Sequence, residues 1–338
     1  MKKKDKKVVN IPLCGGGYYG YAEVAALKEM DNYKEYFDIK HISGVSVGSM
    51  VAALYAVGYN PDELAKVMFN FDFDKLIKDS MFPYLKLYEK YGMYEACPLE
   101  EEIEKFIRIK TNIKYCTFSQ IKMKLSIFST NLNMQCPRLF NKDTTPEIPI
   151  SKAVRMSISY PLVMTPILFE GDYFGDGGIY MNYPILMFEK QLDETIGITF
   201  AAYNENNDGT LKTRVPINDV YDYIRSMGVT MSRAAYVSQI GPKFLERSIV
   251  VKIDQNISSM QFNLTMEQKK YIYECGAKAM REQLPKILGI TDHILLEEKV
   301  TPPDPAKCAV PDNLDMVNAV KYLVSTNPQI ANNISLKK

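Results

Sequence analysis

The segment Gly44-Val45-Ser46-Val47-Gly48 joins an extended pattern to a helical one, and this junction constrains the fold of the 338-residue chain more than any other feature. Residues 37–45 read as a strand, and residues 49–57 form an apolar helix that Gly58 closes. A strand that turns into a helix this abruptly brings backbones close together, so the flanking positions need glycine. A serine at the centre of such a turn exposes its Oγ at the strand's C-terminal end. The helix N-terminus behind it favours developing negative charge. The plain alternative is a strand–helix turn made of small residues. A second strand–turn–helix unit precedes it: residues 8–14, then Gly15-Gly16-Gly17-Tyr18-Tyr19-Gly20, then a helical pattern on Ala22, Ala25, Ala26 and Met30. Two such units in sixty residues predict a parallel α/β fold. Pro12 counts against a central position for the first strand, because proline has no N–H for the ladder. Asn60-Pro61-Asp62-Glu63 reads as a capped helix start.

Further along, the helical pattern is clearest over 99–109. Strands are expected over 124–130 and 138–141, and a short helix over 150–159 stops before Pro161. Residues 167–169 and 173–174 flank a hairpin turn at Glu170-Gly171-Asp172. Strands over 195–201 and 248–253 alternate with long helices over 220–240 and 266–288. The Pro-rich stretch 301–312 reads as a linker or surface loop, followed by a short helix around 314–324 and a polar tail.

Two more glycine-rich sites carry chemical potential. Gly15, Gly16 and Gly17 follow a strand and open a helix, so their N–H groups can face an anion-sized hollow or a tetrahedral oxyanion. Gly15-x-Gly17-x-x-Gly20 also fits a dinucleotide fingerprint. That reading needs an acid at the end of the second strand, whereas Asp38 stands at its start. A P-loop is excluded, since no GK[ST] follows. Asp176-Gly177-Gly178 lies after the hairpin, where the glycines free the backbone to aim a carboxylate. Taken alone, it reads first as an Asx turn. An exposed carboxylate is a weak base at neutral pH, so a catalytic Asp176 requires desolvation or direct contact with the hydroxyl it serves.

In combination these motifs resemble those of the patatin-like phospholipases, whose pattern is GGGxRG, then GxSxG, then DGG followed by Asn-x-Pro. This chain has GGGYYG at 15–20, GVSVG at 44–48, DGG at 176–178 and Asn182-Tyr183-Pro184. The stretch Ala153-Val154-Arg155-Met156-Ser157, with Pro161 and Pro166, is also similar to the segment before the family's aspartate. The resemblance spans about residues 8–290, taken as one domain, with 291–338 as a C-terminal extension. It implies a three-layer α/β/α domain with a mostly parallel central sheet. It further implies a Ser46–Asp176 dyad that hydrolyses acyl esters of phospholipids through an acyl-enzyme, with Gly15, Gly16 and Gly17 as the oxyanion loop. Gly44, Gly48, Gly177 and Gly178 are its supporting glycines. Tyr19 stands where the family has arginine, a lost charge that bears on rate or loop order.

Composition narrows the function. Forty-one Lys and Arg against 40 Asp and Glu give a net charge of +1, which argues against a protein that coats nucleic acid. Two histidines leave little for a His-rich metal site, and no EF-hand loop or HExxH occurs, so no metal or cofactor is expected. By strand alternation His41 points to the face opposite residue 46. His293 gives the order Ser46…Asp176…His293 of an α/β-hydrolase triad. That fold places several strands before its elbow, where one clear strand precedes here. The six cysteines form no CxxC pair and read as free thiols of a reducing compartment. The N-terminal apolar stretch is too short and too broken for a cleaved signal, and no run approaches the roughly 20 apolar residues of a membrane span. A cytoplasmic protein that touches membrane surfaces is expected; an effector exported without a cleaved leader would look the same. Lys2–Lys7 could attract anionic lipid, although a solvated run is the default for such a terminus. Tyr18, Tyr19 and Tyr21 serve either a substrate mouth or helix packing. Met68, Phe69, Phe71, Phe73, Met81 and Phe82 form core or a lipid-facing entry. A lipid acyl hydrolase leads. A carboxylesterase on soluble esters, a lipid- or partner-binding pseudoenzyme and a nucleotide-binding protein are the alternatives.

Overall fold

A computed structural model of the chain describes residues 6–77, 80–202, 214, 216–253, 257–261 and 263–290. β1 (Lys7–Leu13) leads into α1 (Gly20–Met30), and β2 (Phe37–Val45) leads into α2 (Val47–Ala56) and α3 (Pro61–Asn70). Two short helices, α4 (Phe73–Ile77) and α5 (Pro83–Lys90), precede β3 (Gly92–Tyr94) and α6 (Cys97–Thr111). The hairpin of β4 (Lys124–Asn131) and β5 (Cys136–Asn141) is followed by α7 (Ile150–Ser157), β6 (Leu162–Met164), β7 (Ile167–Phe169) and β8 (Asp172–Asp176). β9 (Gly197–Ala202), α8 (Val220–Gln239), α9 (Pro242–Leu245), β10 (Ser248–Ile253) and α10 (Met266–Leu288) complete the order. The Pro-rich segment, the helix expected near 314–324 and His293 lie outside the described residues.

The main sheet runs β10-β9-β1-β2-β4, all parallel, and β5, β8 and β7 extend it with antiparallel pairs. The mostly parallel α/β architecture expected from the sequence is therefore present. Side chains alternate between the two faces of the sheet, as the pleat requires. Val9, Ile11 and Leu13 of β1 enter a large core with α1, α2, α3, α7 and α10. Cys14 enters a small cluster on the other face with Tyr183, Ile185, Ile240 and Phe244. The second layer is thin, built from the kinked 3₁₀ segment Pro184–Glu194 and α9. Capping follows the sequence: Asn60 accepts the Glu63 N–H at 3.0 Å while the Glu63 carboxylate takes the Asn60 N–H at 2.9 Å, with Pro61 in the first turn.

Two expectations need correction. Pro12 lies in a central strand after all. Cys14 N–H donates to the Ile198 carbonyl and Ile196 N–H to that of Asn10, so residues 10, 12 and 14 present their backbone to β9. The donor that Pro12 lacks thus falls on the thinly paired β1–β9 edge, where Leu13 aligns with Ile198 and an isolated bridge joins Asn10 to Thr195. The pairing of β1 with β2, which runs from Lys7 to Leu13 with one register shift after Val9, is spared. The second difference is β3, a short strand that the sequence pattern did not announce. It gains its extended form by pairing with β6, from Gly92 opposite Leu162 to Tyr94 opposite Met164.

The strand β4 positions everything that follows. Val45 of β2 lies opposite Phe128, and Asp176 of β8 lies opposite the next residue, Ser129. Ser129 pairs with Arg138 of β5 on its other side, so β8 takes the edge of β4 that β2 has just left. The two strands approach head on, and their ends, residues 45–46 and 176, meet beside one point of β4.

Candidate active site

Ser46 sits between β2 and α2 with φ +52° and ψ −127°, a left-handed conformation that costs a non-glycine residue energy. The turn is tight enough that a Cβ at Gly44 would lie 2.1 Å from the Gly48 carbonyl oxygen. At Gly48 a Cβ would lie 2.8 Å from the carbonyl oxygen of Cys14. The carbonyl of Ser46 accepts the Ser49 N–H at 2.9 Å and the Ser49 hydroxyl at 2.6 Å. Its N–H donates to the Ser157 hydroxyl at 2.9 Å, which itself donates to the Phe128 carbonyl at 2.6 Å. The strained turn is therefore held from β2, α2, α7 and β4.

The Ser46 hydroxyl donates to Oδ2 of Asp176 at 2.7 Å, while Oδ1 accepts the Gly178 N–H at 2.7 Å. Asp176 is further fixed through its backbone. Its N–H donates to the Ser159 carbonyl at 2.8 Å, and its carbonyl accepts the Thr130 hydroxyl at 2.8 Å. Gly177 packs against β4, where a Cβ would lie 2.4 Å from the Phe128 carbonyl. Asp176 is buried, and burial pushes its carboxyl up from 3.8 to about 6; the Ser46 hydroxyl and the Gly178 N–H pull it down without cancelling that effect.

The glycine loop lies against the serine: a Cβ at Gly15 would stand 3.2 Å from that of Ser46. Its three residues are not equivalent. The Gly15 N–H donates to the Asn182 carbonyl at 2.8 Å, and the Asn182 side chain donates back to the Gly15 carbonyl at 3.1 Å. Asn182 thus latches the glycine loop to the chain just after Asp176. The N–H groups of Gly16 and Gly17 donate to no protein acceptor among the described residues, and Gly17 holds φ +50°. Tyr19 turns away from the serine, donating to the Ile257 carbonyl at 2.6 Å and meeting Phe200 edge-on. Tyr18 faces the site, its N–H held by the Ser259 carbonyl and its hydroxyl by Asp74.

Ser46 and Asp176 stand in an open cleft otherwise lined almost entirely by apolar side chains such as Val47, Met50, Leu99, Ile158, Val163 and Met164. The apolar stretch that follows α2 divides: Met68, Phe69 and Phe71 are core, Phe73 lines the cleft, and Met81 and Phe82 are exposed. Sequence reasoning missed Ser157 as a partner of Ser46. Arg155, quoted only as part of a matching stretch, is buried and bonded to the Ser159 hydroxyl and to the carbonyls of Glu95 and Thr165. It braces the turn whose Ser159 carbonyl holds Asp176.

His41 is remote from this chemistry. It lies 2.9 Å from the Ser126 hydroxyl and edge-on to Phe188, and burial drives its pKa down to about 4, so it is neutral at physiological pH. Asp38, the acid nearest to a dinucleotide role, pairs with Lys6 at the far end of β2. No cluster of three or more His, Cys, Asp or Glu suited to a metal occurs among the described residues. No helix among them is long and apolar enough to cross a membrane.

A family profile described as patatin-like phospholipase matches residues 13–189, a span that holds the glycine loop, the serine turn, Asp176 and Asn182. The uncharacterized protein R571 of Acanthamoeba polyphaga mimivirus is 59% identical over 289 residues, covering 85% of this chain and 97% of its own length. Protein YqhO of Bacillus subtilis (strain 168) is 25% identical over 280 residues, covering 78% of this chain and 94% of its own. The probable lipid hydrolase 463L of Invertebrate iridescent virus 6 is 25% identical over 225 residues, covering 60% and 74%. Among solved structures, VipD from Legionella pneumophila superposes with a TM-score of 0.54 at 15% identity, over 85% of this chain and 67% of that one, a likeness of fold alone. The profile covers the segments that meet around Ser46 in their expected order, and on that match the chain belongs to the patatin-like phospholipase family.

Proposed function

We propose that the protein is a lipid acyl hydrolase of the phospholipase A or lysophospholipase type, in which Ser46 and Asp176 act as a two-residue catalytic unit. The observation that carries this reading is the 2.7 Å hydrogen bond from the Ser46 hydroxyl to a buried carboxylate in an apolar cleft. The family match and the relative named as a probable lipid hydrolase support a lipid ester as substrate.

The acyl chain of the substrate lies along Met50, Leu99 and Val163, which places its ester carbonyl beside Ser46. Ser46 Oγ attacks the carbonyl carbon as its proton passes to Asp176 Oδ2. The N–H groups of Gly16 and Gly17 receive the developing oxyanion, where each such donor is worth on the order of 10²–10³ in rate. The α2 N-terminus adds a favourable field. Collapse of the tetrahedral intermediate breaks the ester C–O bond. The leaving alcohol takes the proton from Asp176 and leaves an acyl-serine. Water then attacks the acyl carbon with Asp176 as base, and the fatty acid departs with Ser46 restored.

Ser46→Ala tests this directly. The variant is expected to fold normally and to lose on the order of 10⁴-fold or more in hydrolysis of a short-chain aryl ester and of phospholipid vesicles. An acyl-serine probe should label the wild type at Ser46. Substantial turnover by a clean Ser46→Ala preparation refutes the assignment, and unlabelled, inactive wild type points to a lipid-binding pseudoenzyme.

A further inference from the structure

Residues 81–91 present an unusual surface. Phe82, Tyr84, Leu85 and Tyr91 are 68%, 64%, 55% and 57% exposed, and Met81 and Tyr88 reach 88% and 86%. α5, which spans most of this stretch, buries no residue. Its two lysines are already engaged: Lys86 and Lys90 both turn to the carboxylate of Glu95. One flank of the helix is thus held by charge pairs while the apolar remainder faces solvent. Monomeric soluble proteins rarely leave such contiguous apolar surface without a use for it.

The topology places this surface at the cleft. Immediately before it, Phe73 and Ile77 of α4 line the cavity that holds Ser46 and Asp176. Immediately after it, β3 pairs with β6, whose Val163 and Met164 line the same cavity. The segment therefore lies between α4, which lines the cleft, and a strand paired with a cleft wall, a position that brings α5 near the mouth. A tyrosine- and phenylalanine-bearing helix with a charged flank suits the boundary between lipid headgroups and acyl chains, where aromatic side chains bury their apolar bodies and keep their polar tips wet.

We propose that α5, led by Phe82 and Leu85, is the element that seats the cleft mouth on a phospholipid bilayer. This inference rests on the lipid acyl hydrolase reading of the cleft. An acyl chain that must reach Ser46 from a bilayer passes through water unless the mouth is docked on the membrane. Because the helix lysines are paired with Glu95, docking proceeds by apolar insertion rather than by attraction to anionic headgroups.

The test compares the full-length wild type, a Phe82→Ser/Leu85→Ser double variant and Ser46→Ala. Flotation with phosphatidylcholine vesicles at low and high salt reads docking, and hydrolysis of a monomeric short-chain ester reads the catalytic centre separately. Gel filtration reports self-association. The double variant is expected to bind vesicles about tenfold more weakly or worse. It should hydrolyse the soluble ester like the wild type, since both substituted side chains are exposed. Ser46→Ala should bind vesicles normally, and binding should persist at high salt. Undiminished vesicle binding by the double variant, no binding by the wild type, or binding that salt abolishes would overturn the proposal. So would a wild-type dimer that the double variant splits without any change in vesicle affinity, because the patch would then serve a second copy. If no form of the protein turns over either ester, the hydrolase reading fails, while the flotation arm still reports on the surface.

Discussion

Replacing Asp176 by asparagine should abolish turnover and stabilise the fold, two effects with one electrostatic cause. The asparagine amide keeps the shape of the carboxylate. Its oxygen can accept the Gly178 N–H, and its amino group can donate to Ser46 Oγ. It cannot accept the serine proton, so hydrolysis should fall on the order of 10³-fold or more. The stability effect follows from the carboxyl pKa, raised by burial from 3.8 to about 6. An acid whose folded pKa lies above its unfolded value penalises the folded state when ionised. The penalty is absent below 3.8, grows between 3.8 and 6, and is complete above 6. A shift of roughly two units corresponds to about 3 kcal/mol at neutral pH, which Asp176→Asn should relieve. For a chain of this size that is a rise in melting temperature of roughly 4 °C. The same titration governs activity with the opposite sense. About one tenth of the base form exists at pH 5 and about nine tenths at pH 7, so kcat/KM should climb through pH 6 to a plateau. Thermal melts of wild type, Asp176→Asn and Ser46→Ala across the pH range, with initial rates on a soluble ester, test both effects. The gap between Asp176→Asn and wild type should close as pH falls toward 3.8. A variant that melts below the wild type at pH 8, or that retains substantial turnover, would show that the buried charge has been misread.

Other substitutions probe the scaffold around the dyad. Gly44→Ala places a methyl 2.1 Å from the Gly48 carbonyl oxygen and 2.5 Å from the Ser49 nitrogen, both rigid backbone, so a loss of more than about 3 kcal/mol or insoluble expression is expected in urea titrations. Ser157→Ala removes the acceptor of the Ser46 N–H and should lower kcat about tenfold or more with little change in KM, at a stability cost of about 1–3 kcal/mol. His41→Ala should keep turnover within about threefold and lose about 1 kcal/mol of stability with its Ser126 bond. A folded but inactive His41→Ala would remove the basis for a histidine-free mechanism.

The sequence discloses most about local geometry and least about what distant segments do to one another. The serine turn was legible because its strand, glycines and helix are contiguous, and the Asn60 cap because capping acts over three residues. The likeness to a family pattern joined Asp176 to Ser46, but the physical link is the register of β4. That strand supports Val45 at Phe128 and Asp176 at Ser129, and no local rule sets a pairing across so many residues. The glycine loop was read as three equal donors, whereas Asn182 takes the Gly15 N–H, a contact that exists only once the segment after Asp176 has folded back. Ser157 was hidden for a similar reason. A serine near a helix C-terminus looks like a poor helix former until α7 packs it between Ser46 and Phe128. Pro12 misled through a sound rule, because the rule concerns a strand bonded on both edges and β1 is weakly bonded on the edge in question.

The chemistry turns on whether one carboxylate can do what a histidine does in other serine hydrolases. At its ordinary pKa an aspartate is too weak a base to take the serine proton efficiently near neutrality. Desolvating it to about 6 brings its proton affinity close to that of an unperturbed imidazole, near 6.5, while leaving it ionised at physiological pH. Full desolvation without compensation would overshoot and hold the acid protonated and useless as a base. The Ser46 hydroxyl and the Gly178 N–H, the groups that Asp176 Oδ2 and Oδ1 accept, supply that compensation, and both are fixed by strand ends rather than by flexible side chains. On the proposed mechanism, the apolar cleft that would take the acyl chain is also what raises the base strength of Asp176. Widening its mouth to water near Ile158 or Tyr160 should lower the Asp176 pKa and shift the acidic limb of the rate profile downward, with a smaller maximal rate.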